Sequence, residues 1–116
     1  MSDVKITVGG DIEKEASRRF VKTWQRAKRG ESVRERHLAF ESWEALARVL
    51  TGKRLELLQH VRHHKVASVR ALAKALERDY SNVHADVQVL AAAGLLDVEN
   101  GGVRADYDAI ETRIAL

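Results

Sequence analysis

A chain of 116 residues, 45% hydrophobic and only 5% aromatic, has room for one domain with an appended arm and a core made mostly of leucine, valine and alanine. It holds no cysteine and no proline, which excludes disulfides and cysteine-based zinc sites. The first twenty residues lack an apolar signal core and no eighteen apolar residues run together, so a soluble cytoplasmic protein without a membrane span is expected. The net charge is +3, unevenly spread. Residues 1–52 carry +3, residues 53–96 carry seven Lys+Arg against four Asp+Glu, and residues 97–116 carry two against five. A basic body with an acidic tail suits a polyanion partner.

In chain order, Val4, Ile6 and Val8 alternate with Lys5 and Thr7, which predicts a strand ended by Gly9-Gly10. Asp11 is placed to cap a helix whose early Glu13 and Glu15 suit its positive end. Ile12, Ala16, Phe20, Trp24 and Ala27 make an apolar stripe along it, and Gly30 stops it. Leu38 and Phe40 mark a second strand within 33–40, so the arm reads β-α-β. Ser42 caps a short helix with Trp43, Leu46, Ala47 and Leu50 on one face. After Thr51-Gly52 a helix from Lys53 offers Leu55, Leu57, Leu58 and Val61 to the core. Ser68 caps the next, with Val69, Leu72, Ala73 and Leu76 at helical spacing. Glu77-Arg78-Asp79 connects it to a last helix from Tyr80 to Ala93, closed by Gly94.

Two short helices joined by three residues, the second amphipathic, form a helix-turn-helix pattern. Val83, Val87 and Leu90 fall on the inner side of the second helix. Ser81, His84, Ala85 and Gln88 fall on the outer side, with Asn82 at the flank. Small residues let a backbone approach a major groove, and polar ones meet base edges, so these five are the candidate base-reading residues. Asp86 lies nearer the inner side, whereas Val89 and Ala92 face outward and call for cover. Arg70 and Lys74, one turn apart on the preceding helix, are candidate phosphate contacts, together with Arg78 in the turn and Arg104 further on.

Beyond Gly94 the chain reads as a hairpin about Asn100-Gly101, a dipeptide that tolerates positive φ at both positions. That turn sets Glu99 opposite Gly102, Val98 opposite Val103, Asp97 opposite Arg104 and Leu96 opposite Ala105. Apolar residues then pair on one face and opposite charges on the other. The expected fold is therefore α+β and mainly helical. It comprises a β-α-β arm over 1–50, a winged helix-turn-helix over 51–107 and a tail over 108–116.

The residues from Leu50-Thr51 through Lys53-Arg54-Leu55, Ser68-Val69-Arg70, Arg78-Asp79-Tyr80 and Asn82-Val83-His84 to Gly94-Leu95-Leu96 carry a resemblance. They look like MarR-like predicted transcriptional regulators of bacteria and archaea, often encoded beside a small toxin. Phe40-Glu41-Ser42 also fits, and the first thirty residues match only in outline. The resemblance implies an antitoxin that binds duplex DNA, represses its own operon and neutralises a toxin protein. The toxin rests on resemblance alone.

Other readings stand beside these. A winged helix can serve as a protein-docking module that does not bind DNA in a sequence-specific way. His60, His63 and His64 include an i, i+4 pair, but with no acidic ligand close in sequence a solvated helix end is favoured, and no metal or cofactor is expected. Lys14, Arg18, Lys22, Arg26 and Arg29 form a basic stripe on the first helix. A solvated face, helped by Glu15 pairing with Arg19, is favoured over flanking DNA or an acidic partner. Trp24 and Trp43 sit on apolar stripes and are expected in the core. Val8-Gly9-Gly10-Asp11 lacks the pattern of a phosphate loop, and no catalytic set appears, so no enzyme is expected. A two-stranded arm has exposed edges that a second subunit would cover. A homodimer held by residues 1–50, with help from 107–116, would imply a palindromic operator with half-sites about 34–36 Å apart.

Overall fold

The computed structural model describes residues 3–10, 12–29 and 35–116, and of residues 12–16, 19, 23 and 27 the backbone alone. The caps assigned to Asp11 and Gly30, the stripe positions Ile12, Ala16 and Ala27, and the Glu15–Arg19 pair lie outside the described residues or side chains. The architecture is α+β, roughly half helical, in two compact units. One comprises residues 1–46 with 108–116, the other residues 47–107. The second helix runs through the boundary, so residues 47–50 group with the helical unit and not with the arm.

The first unit is built on β1 (Asp3–Val8), α1 (Ile12–Lys28), β2 (Glu35–Phe40) and β5 (Ala109–Ile114). The order β2-β1-β5 is parallel throughout, with Ile6 beside Leu38 on one side and beside Thr112 on the other. Within the expected tail, Ala109–Ile114 thus form a third strand, and β1 is central, not an edge. The physical reason is periodicity: Ile110, Thr112 and Ile114 share a face with Val4, Ile6 and Val8, while Glu111 and Arg113 share one with Lys5 and Thr7. Val4, Ile6 and Val8 are buried to 2% exposure or less.

The apolar stripe of α1 departs from expectation. Phe20 is 71% exposed, Trp24 56% and Val21 48%. The opposite side of the helix, with Arg18, Lys22 and Arg26, lines a cleft over Lys5, Thr7, His37 and Glu111 of the sheet. Arg18, Lys22 and Arg26 of the basic stripe therefore meet the polar sheet face, and Trp24 is not core; Lys28 lies over its ring, 5.0 Å from the centroid. Trp43, first residue of α2 (Trp43–Val49), is also out of the core, at 54% exposure, and Leu46 alone of that helix is buried.

In the second unit, α3 (Gly52–His63) starts at Thr51, whose hydroxyl accepts from the Arg54 N–H, and α4 (Val69–Leu76) starts at Ser68, which accepts from Ala71. Helix α5 (Tyr80–Ala92) is capped by the Asp79 carboxylate, which accepts from Asn82. Leu57, Leu58, Val61, Leu72, Ala73, Val83, Val87 and Leu90 form the core. Leu55 does not join it and is 41% exposed. Glu77 ends α4 in the left-handed region at φ 54°.

The hairpin β3 (Asp97–Glu99) and β4 (Gly102–Arg104) has the register the Asn-Gly turn predicts. Asn100 and Gly101 both take positive φ, 53° and 79°. Val66 adds an antiparallel bridge to Val103, so β4 is flanked on both sides. Val103 is therefore buried while its partner Val98, on the outer strand, is 49% exposed. Arg104, the register partner of Asp97, lies 3.7 Å from Glu99 and 3.3 Å from Asp106. The Tyr107 hydroxyl donates to the Leu95 carbonyl at 2.8 Å and anchors the end of this unit.

Candidate nucleic-acid interface

Helix α5 sorts its residues by helical period. Val83, Val87 and Leu90 are buried, and Ser81, Asn82, His84, Ala85 and Gln88 are all exposed. The five candidate readers thus share a solvent face, with Asn82 at its edge. Val89 is half-buried and Ala92 exposed.

The only acid within α5 is Asp86, and two guanidinium groups draw it inward. Arg54 Nε donates to one carboxylate oxygen at 2.9 Å and Arg78 Nη2 to the other at 2.7 Å. The three side chains are 13–18% exposed. Burial would raise the Asp86 pKa, but the hydrogen bonds from Arg78 and Arg54 outweigh it and hold the carboxyl below its ordinary value. Arg54 also donates to the carbonyls of Arg48 and Val49, which ties the start of α3 to α5 and to the preceding segment. The one negative charge of α5 is thereby neutralised and held away from the exposed face of the helix.

The candidate phosphate contacts separate. Arg70 and Lys74 are exposed on α4. Arg70 lies over the Tyr80 ring, 4.5 Å from its centroid, and Tyr80 in turn meets His84 at 5.7 Å between rings. Arg78 is placed differently from expectation: it is committed to Asp86, and its Nη1 is buried. A residue in a turn has no periodicity to say which way it points, so this pairing has no local sequence signal. Arg104 is exposed but stands among Glu99 and Asp106, whose charges weaken its pull on an anion.

Two positions join the surface that periodicity alone did not select. Lys53, exposed at the start of α3, lines an open cleft of about 620 Å³ with Asn82 and Ala85. Its signal is its place directly after the Thr51 cap. Tyr80, 39% exposed, bridges Arg70 and His84; its signal is the four-residue spacing to His84.

His60 and His64 stack with centroids 4.1 Å apart, and His64 Nδ1 is 2.9 Å from the His60 carbonyl oxygen. Burial and the neighbouring His64 lower the His60 pKa. Among the described residues no group of three potential metal ligands comes together. In the first unit the cleft beneath α1, about 560 Å³, holds its carboxylates in ion pairs, Lys5 with Glu111 and Arg26 with Glu35 at 3.0 Å. Among the described residues no helix is long and apolar enough to cross a membrane.

No curated protein and no solved structure matches the chain. The model of the HVO_A0114 family matches residues 49–112. That span exceeds half of the chain and takes in α3, α4, α5 and the β3–β4 hairpin, and the chain accordingly belongs to the HVO_A0114 family.

Proposed function

We propose that residues 51–107 are a winged helix-turn-helix of the MarR-like kind and that the protein is a sequence-specific, duplex-DNA-binding transcriptional regulator. In this reading α4 and α5 are the helix-turn-helix, α5 enters the major groove, and β3–β4 is the wing. The observation that carries it is the outer face of α5. Ser81, Asn82, His84, Ala85 and Gln88 are exposed together, and the one acid of the helix is turned inward by Arg54 and Arg78. Lys53 lines a cleft with Asn82 and Ala85, Arg70 reaches His84 through Tyr80, and Lys74 is exposed on α4, so these cations supply positive charge for the phosphates. The test is titration of the chain into a labelled duplex from the region upstream of its own gene, with competitor DNA, across a salt series. Binding that survives competitor and falls steeply with salt is expected; equal affinity for competitor contradicts sequence-specific reading.

A narrower function, an autorepressing antitoxin that neutralises a toxin, rests on the resemblance to regulators encoded beside toxins. A second reading, a protein-interaction module, is favoured by one observation: α1 exposes Phe20, Val21 and Trp24 together. The same titration separates the two, because a module of that kind shows no salt-dependent, sequence-specific DNA binding.

A further inference from the structure

We propose that a second copy of this chain docks along the outer edge of β5, antiparallel and centred on Thr112, so that two three-stranded sheets join into one of six. Such pairing does not depend on whether the chain binds DNA. The direction in which the strand's backbone groups point comes first. Ala115 N–H donates to the Val8 carbonyl at 3.0 Å, so Ala115 bonds toward β1. Successive residues of a strand turn their N–H and C=O to opposite sides. Glu111 and Arg113 therefore also bond toward β1, and Ile110, Thr112 and Ile114 offer their backbone groups to the free edge.

The side chains of that segment are self-complementary. From Ala109 to Ala115 the chain reads Ala-Ile-Glu-Thr-Arg-Ile-Ala. From either end this is small, isoleucine, charge, threonine, opposite charge, isoleucine, small. A two-fold axis at Thr112 pairs each Thr112 with its copy and each Ile110 with Ile114 of the other chain. These are the residues whose backbone groups face outward, so each pair exchanges both N–H···O=C bonds. Glu111 then falls opposite Arg113 of the other copy at the closer-approaching positions between the bonded pairs. The isoleucines extend the apolar face of Val4, Ile6 and Val8, and the charges extend the polar face that carries Lys5.

The neighbouring registers fail on charge. An axis at Arg113 sets arginine against arginine, and one at Glu111 sets glutamate against glutamate. An axis between residues would oppose outward-facing with inward-facing backbone. The other edge lacks this symmetry. Gly9 N–H donates to the Phe40 carbonyl, so His37 faces outward on β2, and an axis there sets Arg36 against Leu38 and Glu35 against Ala39. Among the described residues no strand pairs with the outer edge of β5, which holds no proline and is exposed from Glu111 onward, and such an edge is a template for pairing.

Light scattering of the full chain at tens of micromolar tests this, and a mass of one chain overturns it. Thr112→Pro removes only the outward-facing N–H and leaves the bonds to β1, as proline is tolerated on edge strands. With unchanged circular dichroism it is expected to halve the mass; a persisting dimer overturns the β5 interface. Arg113→Glu, which sets Glu111 against a glutamate twice per dimer, is expected to weaken association at least tenfold. The chain has no cysteine, so single-cysteine variants report the register. Thr112→Cys is expected to form a cross-linked dimer on mild oxidation and Arg113→Cys is not; the reverse pattern overturns the Thr112-centred pairing.

Discussion

Asp86 shows how one side chain decides what a helix face can meet. Two arginines, from α3 and from the turn before α5, hold its carboxylate inward. Asp86→Ala strands two partly buried cations and is expected to cost about 3 kcal/mol by denaturant unfolding, the low end for breaking a buried pair. Its folded pKa lies below the ordinary 3.8, so the stability it contributes is present above pH 3.8 and is lost as pH falls through the lower folded value. Asp86→Asn, followed by acid titration, is expected to flatten that limb. On the outer face, His84→Ala and Gln88→Ala are each expected to remove about 1–3 kcal/mol of discrimination between bases. Lys74→Ala is expected to weaken all sequences alike and to reduce the salt slope by about 1. The inward turn of Asp86 is legible from its place beside Val83 and Val87. The fate of Arg78 is not, because its partner is set by tertiary approach and not by spacing.

Among elements, the β3–β4 hairpin was the most legible, since Asn100-Gly101 dictates both turn geometry and register. The exposure of Val98 was not, because it depends on the Val66 bridge to the far side of β4. That bridge also constrains Gly102: a Cβ there would meet the Val66 carbonyl oxygen at 3.0 Å. Gly102→Ala is expected to lower Tm and loosen the hairpin, read by hydrogen exchange of the Val103 amide. Glu77 holds φ 54° at the end of α4, a conformation a Cβ disfavours. Glu77→Gly is expected to stabilise the fold by about 1 kcal/mol in chemical denaturation. Strand β5 and the outward apolar side of α1 were illegible locally. The partner of β5 lies about a hundred residues away, and the stripe of Phe20 and Trp24 reads as core wherever it is finally placed.

At the scale of the whole molecule, the acidic C-terminal stretch runs from the hairpin through Asp106 and Asp108 into β5, while Lys53 on α3 and Arg70 and Lys74 on α4 are among the exposed cations of the helical unit. If two chains join through β5 and α5 reads DNA as proposed, the two copies of α5 are related by a two-fold axis and a palindromic operator is expected. His60 adds a pH response. Its proton affinity is lowered in the fold, so the unfolded chain takes up the proton first and stability falls as pH drops below 6.5. His60→Gln, compared by unfolding above and below that pH, is expected to reduce the difference. The central claim is that the outer face of α5 meets duplex DNA, and amide chemical-shift mapping on addition of an operator duplex tests it most directly. The largest changes are predicted at Tyr80 to Gln88, with Lys53, Arg70 and Lys74 beside them. Changes confined to α1 or to the sheet, with α5 unmoved, would contradict it.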